Sequence, residues 1–207
     1  LGIGENIQTA IIEAGISKPG EMARLERMIQ PEIGIFTHLG DAHGENFESL
    51  RQKLEEKSVL FRDCKCVVGR QGEAMRYIAS VIGQDAVLLV WGEEEELPVK
   101  VRVKNVGLEG REVNVRYGRQ EFDVKIPFAD EASFENSMNA LCVLLYKNID
   151  PEVIAERIRG LQPVAMRMEI KEGINHCVLI NDYYNSDAAS FQLALNTLAM
   201  QDAGREK

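Results

Sequence analysis

Glu13 in "AIIEAG", His43 in "GDAHGENF" and Lys57 in "RQKLEEK" are the residues of the first sixty whose types could do chemistry, and Asp182 closes a later apolar run, "HCVLIND". A carboxylate inside an apolar run is costly to bury unpaired, so Glu13 reads as a paired or functional group. If Glu13 and His43 stood at neighbouring strand ends, carboxylate and imidazole could share a cation, although magnesium sites prefer oxygen ligands. Taken alone, Lys57 is a solvated helix charge and His43 an ordinary loop histidine. The chain contains no GxxxxGK[ST] loop, so spacing by itself supplies no nucleotide site.

Positioning these groups falls to an alternation of elements. "TAIIEAG" (9–15), "IGIFTH" (33–38), "CKCVVG" (64–69) and "AVLLVW" (86–91) have the apolar continuity of buried strands. Helical spacing runs through 19–29, 45–61 and 72–82 between them. Such alternation implies a mainly parallel sheet covered by helices, with ligands at the carboxyl ends of the strands. Glu13 then lies near the end of the first strand, His43 in the loop after the second, and Lys57 on the helix that follows. From 97 to about 128 the texture changes to alternating short strands with turns at "LEGRE" and "YGRQE", a small antiparallel meander with one wet face. Helices return at 133–148 and 150–161, the second with Asp150 as N-cap and Pro151 at its first position. A hairpin and a helix from about Ala189 to Met200 follow, read as the start of a second α/β domain.

With 45% hydrophobic and 28% charged residues the composition is that of an ordinary globular chain, and the net charge of -9 argues against a nucleic-acid partner. An acidic surface still admits an anionic substrate where a local pocket supplies positive charge. No apolar run is long enough to span a bilayer, no signal peptide opens the chain, and the four cysteines form neither a zinc pattern nor a disulfide framework. Cys64 and Cys66 read as part of a buried, reduced strand. A cytoplasmic protein is expected, and both ends look cut, as in an excised fragment.

The order of the words carries more than any one of them. "EAGISKPGEMARLERMIQPEIGIFTHLGDAHGENFESLRQKLEEKSVLF", then "FENSMNALCVLL", then "MRMEIKEGINHCVLINDYYNSDAASFQLAL" resemble, in sequence and with matching gaps, the central domain of the Mur ligases and the entrance to their C-terminal domain. The wording is nearest the branch that adds D-alanyl-D-alanine to UDP-N-acetylmuramoyl-tripeptide in peptidoglycan synthesis, in the versions fused to an alanine racemase. The resemblance implies residues 1–162 as the C-terminal part of the central ATP-binding domain and 163–207 as the beginning of the C-terminal domain.

By that resemblance Glu13 and His43 hold Mg²⁺, and Lys57 matches a lysine carbamylated in the family, which turns a cation into a carboxylate-like ligand. Asn139 and Arg167 match positions that contact adenine or ribose, and Asp182 one that reaches the nucleotide from the second domain. Tyr184 and Asn185 match a "YN" pair near the incoming dipeptide. The implied cofactors are ATP and Mg²⁺, with pyridoxal phosphate only in a fused racemase. The reaction is formation of an acyl phosphate, then attack by the dipeptide amine, gated by domain closure.

The departures are specific. The family's phosphate-binding loop is expected upstream of Leu1, so the chain by itself is not expected to hydrolyse ATP. His38 stands where the family usually has Asn, Glu135 where it has His, and Asp187-Ala188 where it has Asn-Pro. Two alternatives follow: another Mur or folylpolyglutamate-type ligase, and a non-catalytic Mur-like scaffold joined to a racemase.

Overall fold

Apolar runs of strand length become strands where a neighbouring run is available to complete their backbone hydrogen bonds. The computed structural model describes residues 6–40, 46–107, 110–163, 169–182 and 188–199. In chain order the elements are α1 (Met22–Ile29), β1 (Ile33–Phe36), α2 (Leu50–Ser58) with a 3-10 turn at Val59–Phe61, β2 (Cys66–Arg70), α3 (Glu73–Val81) and β3 (Val87–Gly92). There follow β4 (Val99–Gly107), β5 (Gly110–Tyr117), β6 (Gln120–Ile126), α4 (Glu131–Tyr146), α5 (Pro151–Arg159), β7 (Glu169–Glu172), β8 (Val178–Asn181) and α6 (Ala188–Ala199). Six strands form one sheet in the order β1-β2-β3-β4-β5-β6, and β7 pairs with β8 in a second. Sequential strands joined through a helix, as β1 to β2 and β2 to β3 are, follow the crossover rule for parallel sheets. The fold is α/β, with a sheet flanked by helices, as expected.

The expected antiparallel meander is present and extends the main sheet: β4 runs parallel to β3 (Trp91 opposite Val99, Gly92 opposite Lys100), and β5 and β6 add to it antiparallel. One expectation changes. Residues 9–15, read as a first strand, form neither helix nor strand, and Ile11 is 95% exposed. Apolar, β-branched sequence makes a strand only against a ladder partner, and none of the described strands pairs with this run. Its Glu13 is therefore exposed, where burial at a strand end was expected.

Contacts divide the chain into two units. The first comprises Leu1–Gly34, His38–Val67 and Gly72–Val87. Ile16, Met22 and Phe47 are buried together there, with Leu25, Val59 and Leu60 packed on them. Gly34 must be glycine: a Cβ there would sit 2.3 Å from Phe61 Cδ1. Cys64 and Cys66 are buried free thiols, and burial pushes the Cys64 thiol up to about 11. Both agree with a reduced, buried strand.

The second unit is Ile35–Thr37, Val68–Gln71 and Leu88–Lys207. Its meander alternates as the sequence predicts. Val99, Val101, Val113, Val115, Val124 and Ile126 face inward, while Lys104 pairs with Asp123 on the wet side at 2.7 Å. The α5 helix packs against β6 and begins as predicted, with the Asp150 carboxylate accepting from Glu152 N at 2.8 Å. No helix among the described residues is long and apolar enough to cross a membrane.

Candidate functional site

The α2 helix is started by Ser49, whose hydroxyl accepts from Gln52 N at 3.1 Å. Lys53 and Lys57 lie one turn apart on it, so they share a face. Lys57 is half-buried and its Nζ donates to the carbonyl of His38 at 3.4 Å. Lys53 is 3% exposed; its Nζ donates to the carbonyl of Gly40 and stands 5.9 Å from the centre of the Phe47 ring. Both amines are thus held on the backbone just after β1. Burial, and secondarily the neighbouring Lys53, lowers the Lys57 pKa below the ordinary lysine value. A lysine moved toward its neutral form is a better nucleophile than a solvated one.

Between them in sequence, Glu56 fixes the helix to the "PGE" turn. Its Oε1 accepts from Gly20 N at 2.7 Å and from Met22 N at 3.1 Å, satisfying amides at the start of α1. Glu21 of the same turn accepts from Ser17 N and Lys18 N, and these two bonds hold its carboxyl below the usual range. Neither Lys53 nor Glu56 was singled out from sequence. The four-residue spacing of Lys53 and Lys57 was readable; the partner of Glu56, thirty-six residues away, was not.

A second set of groups lies on α4 and the ends of β2 and β3. Asp130 caps α4, accepting from Ser133 N at 2.8 Å. Asn139 is buried inside the helix, and its Oδ1 accepts from Trp91 Nε1 at 2.7 Å. Its Nδ2 is buried without a hydrogen-bond partner among the described residues. In front of Trp91 a cleft of about 500 Å³ is lined by Arg70, Gln71, Arg111, Glu131 and Phe134, among others. Arg70 donates to both Glu131 and Glu135, and Arg111 pairs with Glu131 at 2.7 Å. Burial works to raise the Glu131 pKa, but the two arginines outweigh it and the net shift is downward. Glu135, sixty-five residues from Arg70 in sequence, therefore shares the Arg70 cation with Glu131.

The remaining predicted residues are placed as follows. Glu13 is exposed, and Asp182 is half-buried just after β8. His43, Arg167, Tyr184 and Asn185 lie outside the described residues. Among the described residues no group of three or more His, Cys, Asp or Glu is placed to hold a metal ion. The described side chains therefore do not by themselves make a fit for Mg²⁺. The Asn139 Nδ2, by contrast, is a buried donor without a hydrogen-bond partner among the described residues, so its unmet need is for an acceptor atom.

Comparison with known proteins matches residues 3–144 to the family model described as Mur ligase middle domain. The UDP-N-acetylmuramoyl-tripeptide–D-alanyl-D-alanine ligase of Bacillus subtilis is 25% identical over 222 residues, covering 100% of this chain and 45% of that protein. The ligase of the same name from Rickettsia prowazekii is 22% identical, covering 95% of this chain and 45% of its own length. The chain spans less than half the length of these relatives. Among solved structures, MurF from Acinetobacter baumannii matches with a TM-score of 0.83 and 20% identity, over 97% of this chain and 44% of that one. MurF from Thermotoga maritima in complex with ADP matches at 0.71 and 19%, over 89% and 43%. At these identities the structural likeness establishes the fold.

Proposed function

The chain belongs to the Mur ligase family through its middle domain, and from that premise we propose that it is part of an ATP-dependent amide ligase of peptidoglycan synthesis. The substrates proposed are UDP-N-acetylmuramoyl-tripeptide and D-alanyl-D-alanine, by analogy with the names its relatives carry. The domain division proposed is 1–162 for the C-terminal part of the central domain and 163–207 for the beginning of the next.

The observation that carries this reading is the placement of Lys57, an amine held on the His38 carbonyl and kept toward its neutral form by burial. A neutral amine can attack CO₂: the N–C bond forms, one proton leaves to solvent, and a carbamate with a carboxylate's charge results. Asn139 is the proposed contact to the base, joined by Arg167 and by Asp182 from the second domain, while Tyr184 and Asn185 are proposed to face the dipeptide. Mg²⁺ at Glu13 and His43 is part of the proposal by resemblance only. ATP supplies the phosphoryl group that activates the substrate carboxylate as an acyl phosphate. What this chain contributes is the fixed amine and the oriented amide.

The test uses the full-length protein with ATP, UDP-N-acetylmuramoyl-tripeptide and either D-alanyl-D-alanine or single amino acids, with products weighed by mass spectrometry. A UDP-N-acetylmuramoyl-pentapeptide formed only with the dipeptide supports the reading. A product formed with a single amino acid would place the chain in another branch of the family. No product from any acceptor, in a protein that folds, would overturn the catalytic reading.

A further inference from the structure

The single tryptophan of the chain stands where a donor-only ring can decide which end of a buried amide is available. An indole N–H cannot accept a hydrogen bond, so Asn139 must turn its Oδ1 toward Trp91, and the 2.7 Å bond fixes the amide that way round. Its Nδ2 then faces away, buried and unpartnered among the described residues. An unmade bond from a buried donor is unfavourable, so such a donor is a strong feature of a site awaiting an acceptor.

Trp91 is itself immobilised. Its ring meets Phe134 edge to face, with centroids 6.0 Å apart at 85°. The Arg70 guanidinium lies 5.5 Å from the ring centre, held by Glu131 and Glu135. Its backbone is held by the parallel pairing with Val99, and its carbonyl accepts from Gln71 N at 2.8 Å. At the next residue, Gly92, a Cβ would sit 2.1 Å from Gln71 Oε1 and would displace that side chain.

We propose that Trp91 is a positioning residue for base recognition, locking the Asn139 amide so that only its N–H₂ end is presented, to an acceptor atom on a nucleotide base. This rests on the reading of Asn139 as a nucleotide contact. Trp91 acts through Asn139 and need not touch the ligand. The charged pairs around Arg70 hold the indole, so the replacement of a family histidine by Glu135 becomes part of the same support.

The experiment is a double-mutant cycle in the full-length protein, with ADP affinity measured by calorimetry. Losing one neutral hydrogen bond to the base, Asn139→Ala should weaken ADP about tenfold, and Trp91→Phe, which leaves the amide free to turn, should weaken it about fivefold. Adding Trp91→Phe to Asn139→Ala should cost nothing further. Equal losses from Trp91→Phe in both backgrounds, or none in either, would overturn the proposal while leaving nucleotide binding intact. Failure of the unmutated protein to bind ADP at all would remove the nucleotide reading and the proposal with it.

A measurement without substitution covers the case of a variant that does not fold. By NMR the Trp91 indole proton should exchange slowly with and without ADP, and the Asn139 side-chain amide resonances should shift downfield when ADP is added. An indole proton that exchanges freely without ADP would show that the orienting bond is not made.

Discussion

Replacing Glu56 by alanine should loosen the helix that carries Lys57 from the turn on which it is anchored. One carboxylate oxygen accepts from Gly20 N at 2.7 Å and Met22 N at 3.1 Å. Bonds to a charged acceptor contribute roughly 1.5–3 kcal/mol each when shielded, but the Gly20 bond is exposed and water replaces much of it. The position at the start of α1 adds about 0.3–1 kcal/mol for a negative charge near a helix N-terminus. Together these give about 1–2 kcal/mol for Glu56→Ala, with Glu56→Gln recovering about half because it keeps an acceptor and loses the charge. Urea unfolding at pH 7 reads the difference as a lower midpoint at unchanged slope. Glu55→Ala is the control. Its carboxylate pairs with Arg51 at 2.7 Å on the exposed face, where water screens the pair and its contribution is small. The reasoning is refuted if Glu56→Ala loses no more than Glu55→Ala.

Gly34→Ala should destabilise by about 1–3 kcal/mol through overpacking, since the new methyl would sit 2.3 Å from Phe61 Cδ1 and 3.1 Å from Cys64 Sγ. Adding Phe61→Leu should recover part of the loss in the same unfolding assay, and no recovery would place the strain elsewhere. Stability should also fall in acid. The Asp123 carboxyl is held below its ordinary 3.8 by bonds from Lys104 and Asn114, and Glu131 below 4.5 by Arg111 and Arg70 against the effect of burial. The folded state therefore binds fewer protons than the unfolded one as these groups titrate. Their contribution is present above the unfolded values and lost as pH falls through the folded ones. Midpoints measured from pH 7 to pH 3 should drop chiefly below about pH 4.5, and Glu131→Gln should shrink the drop.

The elements were legible where their signals are local. The apolar runs at 33–38, 64–69 and 86–91 became β1, β2 and β3 within a few residues, because their continuity reports burial on both faces. The alternating valines of 99–126 gave the meander, and Asp150 with Pro151 gave the start of α5. The run at 9–15 has the same local signal but no ladder partner among the described strands, and strand formation is a property of pairs. The candidate site was legible in its residue types and much less in its partners. Lys57 was found by resemblance, yet what shifts its pKa is burial and Lys53. Trp91 and Asn139 are forty-eight residues apart, and Arg70 and Glu131 sixty-one. No periodicity within a single element reports such pairs. Asn139 was named by resemblance alone, and only the donor-only indole beside it shows which of its amide atoms is left over.

The role of Lys57 is tested most directly by phosphate release from ATP in the full-length protein beside its Lys57→Ala and Lys57→Arg variants, with both proposed substrates present. If the lysine acts as a carbamate, both variants should lose turnover while binding ADP as the unmutated protein does, because arginine keeps the charge but cannot form the carbamate. Full turnover in Lys57→Arg would contradict this, and would leave Lys57 as a cation that serves only to hold the backbone after β1.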